Sequence, residues 1–302
     1  MMNVLLATDG SKDAIHAAQF LSTLQCKEPI SLTVLTTTYA PDRIGGTQSQ
    51  AWFPEWRKLE YERVTSHHNL LRDLLEPLGS KTHFVHVDGA AAHEILKLAE
   101  QIDADLIVLG ACGHSAVGRI LLGSVSDSVA THATCSVLIV RPESEDANTE
   151  PGTCRITLAY DGSESSTAAV DELQHFDWPQ CCSVNVLSVV TAPVLLLSEY
   201  PVLLDQHNEV AVDEARKKGE QLVATLAGCV AQPTAQVATG EHIGETIIAN
   251  AAESDSNLIV MGDTGRGFLG KLLLGSVSKY VLRHSTTSVW ISRHHRKTSD
   301  VT

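Results

Sequence analysis

The chain has 302 residues, 43% of them apolar and 19% charged, with a formal net charge of −14. That length suits about two domains and that composition an ordinary globular protein. The acidity disfavours a general binder of nucleic acid or of anionic membrane, and the longest apolar runs fall short of the ~18 residues that span a bilayer.

In chain order, VLLATD (4–9) is a short apolar strand. A helix opens at Ser11 with alanines on one face. LTVLTTT (32–38) is β-rich through Val and Thr. The charged stretch 55–79 is helical and stopped by Pro77 and Gly79. THFVHV (82–87) alternates as a strand, AAHEILKLAEQID is a helix, and ADLIVLG (104–110) is a buried strand. A helix starts near Ser124, and SVLIVRP closes the domain. The second half repeats the order: RITLAYD, a helix, SVNVLSVV, a long helix near 205–229, TAQVAT, GETIIANAAES, NLIVMG, a helix after Ser276, and SVWIS. Between the halves, 143–154 is polar, acidic and carries Pro-Gly, as an exposed linker does. The boundaries are therefore a first domain at 1–142, a linker at 143–154 and a second domain at 155–302.

The repeat is one of whole domains. Asp9 and Asp161, Gly110 and Gly262, Gly123 and Gly275, and His132 and His284 all differ by 152. Strands alternating with helices predict βαβ units and a mainly parallel sheet covered on both faces. Ligands of such sheets sit at the carboxyl ends of the strands, at a switch in strand order.

That is where the glycines fall. Gly110 and Gly113 end a strand, and Gly123-Ser124 follows nine residues later; Gly262, Gly265 and Gly275-Ser276 repeat the pattern G-x-x-G-x9-G-S. Glycine lets backbone approach a ligand, and a helix start offers N–H groups and a dipole to an anion. One GxxG would be a pair of turn glycines; the full pattern twice after the same strand points to a phosphate cradle. The run from Gly265 to Lys271 imitates a P-loop, but Leu272 stands where Ser or Thr would hold Mg²⁺, and that reading is rejected.

ATDGS (7–11), AYDGS (159–163) and the doubled glycine motif resemble the universal stress proteins, two domains in tandem, over almost the whole of both halves. The resemblance implies an α/β fold of two repeated doubly wound parallel-sheet domains, like the adenine nucleotide α-hydrolases, and ATP bound in each. Thr8 and Asp9, or Tyr160 and Asp161, would meet the adenosine. Thr37 or Val189, at the end of the second strand, would meet adenine through backbone. Gly110 and Gly113, or Gly262 and Gly265, would lie against ribose and phosphates. Gly123, Ser124, Val125 and Ser126, or Gly275, Ser276, Val277 and Ser278, would bind the phosphates. The resemblance also implies pairing of the two domains through their last strands, SVLIV and SVWIS, and is compatible with a homodimer.

Other residues take plainer readings. Seven cysteines without a CxxC pair, and an N-terminus without the form of a signal peptide, suggest reduced thiols and a cytoplasmic protein. Asp9 and Asp161 are either turn formers or ligand contacts. Arg119 and Lys271 either neutralise phosphate or are solvated. His132 and His284 are expected to satisfy carbonyls at a helix end. The adjacent His67 and His68 diverge on a helix, and no metal site is expected. The apolar stretch 192–204 either caps the nucleotide or packs. No residue stands out as a catalytic base, so the reading is an ATP-binding stress-response regulator with little turnover; the alternatives are a slow nucleotide hydrolase and a scaffold with degenerate sites. A branched residue at Gly123 or Gly275 is expected to abolish binding in its own half and leave the fold. Formal charge sums to zero over 110–127 and to +2 over 262–279. The second half is therefore expected to hold ATP about tenfold more tightly at low salt, with Asp263 repelling phosphate unless Mg²⁺ bridges the two.

Overall fold

The computed structural model describes residues 1–38, 53–78, 81–113, 122–142, 154–191, 201–265 and 274–294, with the side chains of residues 53 and 201–208 left aside. The chain forms two compact units. One comprises Met1–Leu24, Glu28–Ala133 and Ile139–Arg141; the other comprises Gln25–Lys27, Thr134–Leu138 and Pro142–Thr302.

The first half contains β1 (Met2–Thr8), α1 (Lys12–Thr23), β2 (Ile30–Thr38), α2 (Phe53–Leu75), β3 (Lys81–Asp88), α3 (Ala91–Gln101), β4 (Leu106–Gly110), α4 (Ser124–His132) and β5 (Ser136–Val140). The second repeats this as β6 (Arg155–Ala159), α5 (Glu164–Leu173), β7 (Ser183–Val190), α6 (Pro201–Leu226), β8 (Gln232–Thr239), α7 (Ile243–Glu253), β9 (Leu258–Gly262), α8 (Ser276–His284) and β10 (Ser288–Ser292). The strands lie in the order β3-β2-β1-β4-β5 in the first half and β8-β7-β6-β9-β10 in the second. The pairings of β1 with β2 and β4, and of β6 with β7 and β9, are parallel. The chain steps outward from the first strand of each half, then returns to its other side. The switch falls between β1 and β4, and between β6 and β9, where doubly wound sheets bind ligands.

The apolar runs are buried throughout in the central strands β4 and β9, as a sheet covered on both faces requires. Helices pack through small residues: Ala14, Ala17 and Ala18 of α1 and Ala168 and Ala169 of α5 are buried. Ser11 and Ser163 are the N-caps of these helices, their hydroxyls accepting from Ala14 and Ser166 N–H. Of the stretch 55–79, residues up to 78 belong to α2 and a short 3-10 turn at Glu76–Leu78, and Gly79 lies outside the described residues. Most of the linker, 143–153, and most of the apolar stretch at 192–204 lie outside the described residues. None of the seven cysteines is in a disulfide. Cys154, just before β6, hydrogen-bonds Cys182 just before β7; that bond and burial push its thiol up. No helix among the described residues is long and apolar enough to cross a membrane.

Candidate functional site

Each half brings three segments together at the carboxyl end of its sheet. The first is the Asp-Gly turn after the opening strand. Gly10 and Gly162 there have φ of +83° and +78°, a region that favours glycine. Asp9 and Asp161 close the turn by accepting from the N–H groups of Ser11 and Ser163, each at 2.9 Å. The turn-forming role of both aspartates is thus real, and their second carboxylate oxygens face the glycine loop: Oδ2 of Asp161 lies 3.1 Å from where a Cβ on Gly265 would sit, and Asp9 holds the same place against Gly113.

The second segment is the glycine loop. A Cβ on Gly110 or Gly262 would collide with the first turn of α1 or α5, at Asp13 and Ser165. These two glycines are therefore required by helix–strand packing, whatever they do for a ligand.

The third segment is the start of α4 or α8. The N-caps are Gly123 and Gly275, without a side-chain cap, and Ser124 and Ser276 are the first helical residues rather than caps. First-turn N–H groups are left for another acceptor. The hydroxyls of Ser126 and Ser278 are buried and donate to the carbonyls of Gly110 and Gly262, at 2.8 and 2.9 Å. These serines clamp helix to strand, and toward the loop they offer backbone. Gly123 and Gly275 each donate back to the loop, to Ala111 O (2.8 Å) and Asp263 O (2.7 Å). A Cβ on Gly275 would stand 3.0 Å from Asp263 O, and one on Gly123 3.2 Å from Ala111 O. A side chain at either position presses on the loop backbone as well as on any ligand beyond it, so a valine variant reads the two together.

In the second half these segments border a cleft of about 650 Å³. Its floor is Tyr160, Asp161, Met261, Gly262, Thr264 and Gly265; one end is Gly275, Ser276, Val277 and Ser278; the other is Leu187 to Thr191, including Val189. Ala211, Glu214, Ala215 and Lys218 of α6 form one wall, and Ile243 and Ile247 of α7 another. The α6 and α7 walls carried no signal in the glycine motif. All nine residues expected from the second half line this one cleft.

In the first half the same strand ends carry Thr8, Asp9, Thr37, Gly110 and Gly113, with Gly123, Ser124, Val125 and Ser126 opposite. Thr37 is half-buried on β2, opposite Val87 of β3. Here α2 reaches over the turn. Arg63 Nη1 donates to Asp9 O (3.1 Å), and His67 Nε2 is hydrogen-bonded to Thr8 Oγ1 (2.7 Å). Arg63 is held more firmly protonated by its bond to Glu60, against partial burial, with the carboxylates of Glu60 and Asp9 adding to the effect. His68 bonds Thr36 Oγ1 (2.9 Å), so the adjacent histidines serve different strands.

Asp263 corrects an expectation. Its carboxylate is fully buried, accepting from Ser165 Oγ (2.8 Å) and from Thr264 Oγ1 of the loop (3.2 Å) and lying 3.5 Å from the buried Arg293. It neither repels a phosphate nor offers Mg²⁺ a ligand in the cleft. The first half places the carboxylate on the helix instead. Asp13 on α1 stands for Ser165 and Ala111 for Asp263, and burial lowers the guanidinium of Arg141, with Cys112 and then Asp13 supporting its charge against that desolvation. Asp13 also accepts from Cys112 N–H (2.9 Å). His132 and His284 each direct Nδ1 at the carbonyl four residues back, at 2.8 Å, the helix-end role expected of them. His114, Arg119, Arg266, Lys271, Leu272 and His295 lie outside the described residues.

A doubly wound sheet with a glycine loop and a helix start without a side-chain cap at its switch point defines a class, the doubly wound α/β proteins. The universal stress protein family model matches residues 1–141 and again 153–293, and the chain belongs to that family, as a tandem of two such domains. A protein of Staphylococcus aureus (strain USA300) that bears the universal stress protein name is 31% identical over 151 residues, 49% of this chain and 89% of its own. The crystal structure of a universal stress protein from Archaeoglobus fulgidus matches with a TM-score of 0.62 and 20% identity, covering 96% of each chain. A universal stress protein solved in complex with cAMP matches 46% of this chain and 96% of its own, with 23% identity and a TM-score of 0.36.

Proposed function

We propose that the chain is a nucleotide-binding regulatory protein that takes ATP in the cleft of its second half. The observation that carries this is the cleft itself: about 650 Å³, at the switch point, bounded by a glycine loop and a helix start whose N-cap has no side-chain bond. That size falls in the range of small-molecule sites. On this reading the phosphates lie at the N–H groups of Gly275 to Ser278, favoured by the α8 dipole. The nucleoside lies on Tyr160 and Asp161, with its base toward Val189.

Turnover is proposed to be slight. Phosphoryl transfer asks for cations and a positioned nucleophile at the transferred group, and among the described residues that end of the cleft supplies backbone. Mg²⁺ bridging by Asp263 forms no part of the proposal.

Ser276→Asp tests it. Ser276 is exposed at the first position of α8, so a carboxylate there suits the helix dipole and leaves folding intact. It would repel phosphate from the same N–H groups. ATP titrated into the full chain by calorimetry is expected to bind wild type and to lose about 100-fold in the variant. Equal affinity in the two proteins places the ligand elsewhere.

A further inference from the structure

We propose that the first-half cradle is closed by the chain's own helix α2, so that each chain takes one ATP tightly, in the second half. This rests on the nucleotide reading above and adds to it which half is open.

The closure is built from two side chains one helical turn apart. Arg63 donates to the carbonyl of Asp9 at 3.1 Å. Its Nη1 lies 3.3 Å from where a Cβ on Gly10 would be, and the ring of His67 lies 3.7 Å from the same point. His67 also takes up the hydroxyl of Thr8 at 2.7 Å. Thr8, Asp9 and Gly10 form the turn that would receive the nucleoside, and protein atoms occupy the space above it. Glu60 holds the guanidinium in place through two bonds, 3.0 Å from Nε and 2.6 Å from Nη2. Arg63 does not stand where it would serve a phosphate. It lies over the turn after β1, whereas the helix start that would cradle phosphates is at Gly123 to Ser126. Its charge is already compensated by Glu60.

The second half shows what an open version looks like. Leu75 and Leu226 end the two helices, and Lys81 and Gln232 open the strands that follow, an offset of 151. By that offset Glu214 stands for Arg63 and Lys218 for His67. Both line the cleft, and among the described residues neither side chain has a hydrogen bond or an ion pair. A pair that clasps the turn in one half has become a pair that borders an open cleft in the other.

For a nucleoside to seat on Thr8 and Asp9, Arg63 and His67 must leave, and two hydrogen bonds are given up. At ordinary net strengths that weakens the site ten- to hundredfold.

The experiment titrates ATP into the full chain by calorimetry, in wild type, in Arg63→Ala with His67→Ala, and in Arg63→Glu with His67→Lys, which installs the second half's pair. Wild type is expected to saturate at one tight site. Both variants are expected to gain a second site ten- to hundredfold tighter than the first half shows in wild type; circular dichroism reports their folding. Two equal sites in wild type overturn the proposal, as does a first-half affinity that falls or stays the same in the folded variants. Failure of wild type and variants alike to bind ATP overturns the nucleotide reading itself, and this proposal with it.

Discussion

The two cradles share a backbone and differ in what covers it. In both halves an Asp-Gly turn closes on the next serine N–H, a buried serine clamps the last helix to the glycine strand, and a glycine N-cap returns its N–H to the loop. The difference lies in the flanking helix: Arg63 and His67 fasten α2 to the first turn, while Glu214 and Lys218 border the second cleft. Duplication has preserved the interactions that set the backbone; the serine clamps among them are buried, where leaving a bond unmade is costly. Side chains on the half-exposed helix wall carry no such obligation, and it is there that the halves have parted.

The largest expected effect concerns the buried carboxylate. Removing one partner of a buried ion pair costs about 3–5 kcal/mol, so Asp263→Ala is expected to destabilise the second half by roughly that amount in urea denaturation. The first half predicts its rescue. Asp13 with Ala111 does there what Ser165 with Asp263 does in the second half. Ser165→Asp added to Asp263→Ala should therefore recover most of the loss; a double variant no more stable than the single one breaks the equivalence.

Next comes the paired charge test at the helix starts. Ser276→Asp is expected to weaken ATP binding about 100-fold. Ser124→Asp, its counterpart, should leave the tight binding of wild type within about twofold, since the first cradle does not supply it. Calorimetry on the two proteins side by side decides the matter, and a larger loss in Ser124→Asp would reverse the assignment.

The comparison was only partly legible in the sequence. The order of elements along the chain, the doubled glycine motif and the Asp-Gly turns could be read directly, because each depends on local residue chemistry at a fixed spacing, whereas the order of strands across the sheet is set by the fold. Charge counting pointed to the second half, with Asp263 as the one residue set against phosphate there. The structure buries Asp263 against Arg293, while Arg119, Arg266 and Lys271, which enter that count, lie outside the described residues. No spacing rule reveals that Asp13 and Asp263 exchange one role, since they lie on different elements and meet only through the fold. Arg63 and His67 were hidden for another reason: the repeat offset slips from 152 to 151 across the long helix, so comparison at 152 sets Arg63 beside Ala215 rather than Glu214.

The smallest expected effect is a pH dependence confined to the first half. His68 is lowered to about 4, chiefly by burial, then by charge on His67, His86 and Arg72. A histidine lowered in the folded state binds protons better when unfolded. Its contribution to stability is therefore full above about 6.5 and is lost as pH falls from there toward 4. His68→Gln is expected to flatten that part of a melting-temperature profile by a few degrees at most. A profile unchanged by the substitution would show that another group titrates.

The most direct measurement of the central claim is hydrogen–deuterium exchange of the full chain with and without ATP. Slower exchange is expected in the second half, at residues 258–265 and 274–284, with 106–113 and 122–132 unchanged at ATP concentrations that saturate the tight site. Equal protection of both halves, or protection of the first alone, would contradict an open second cleft and a first cradle closed by Arg63 and His67.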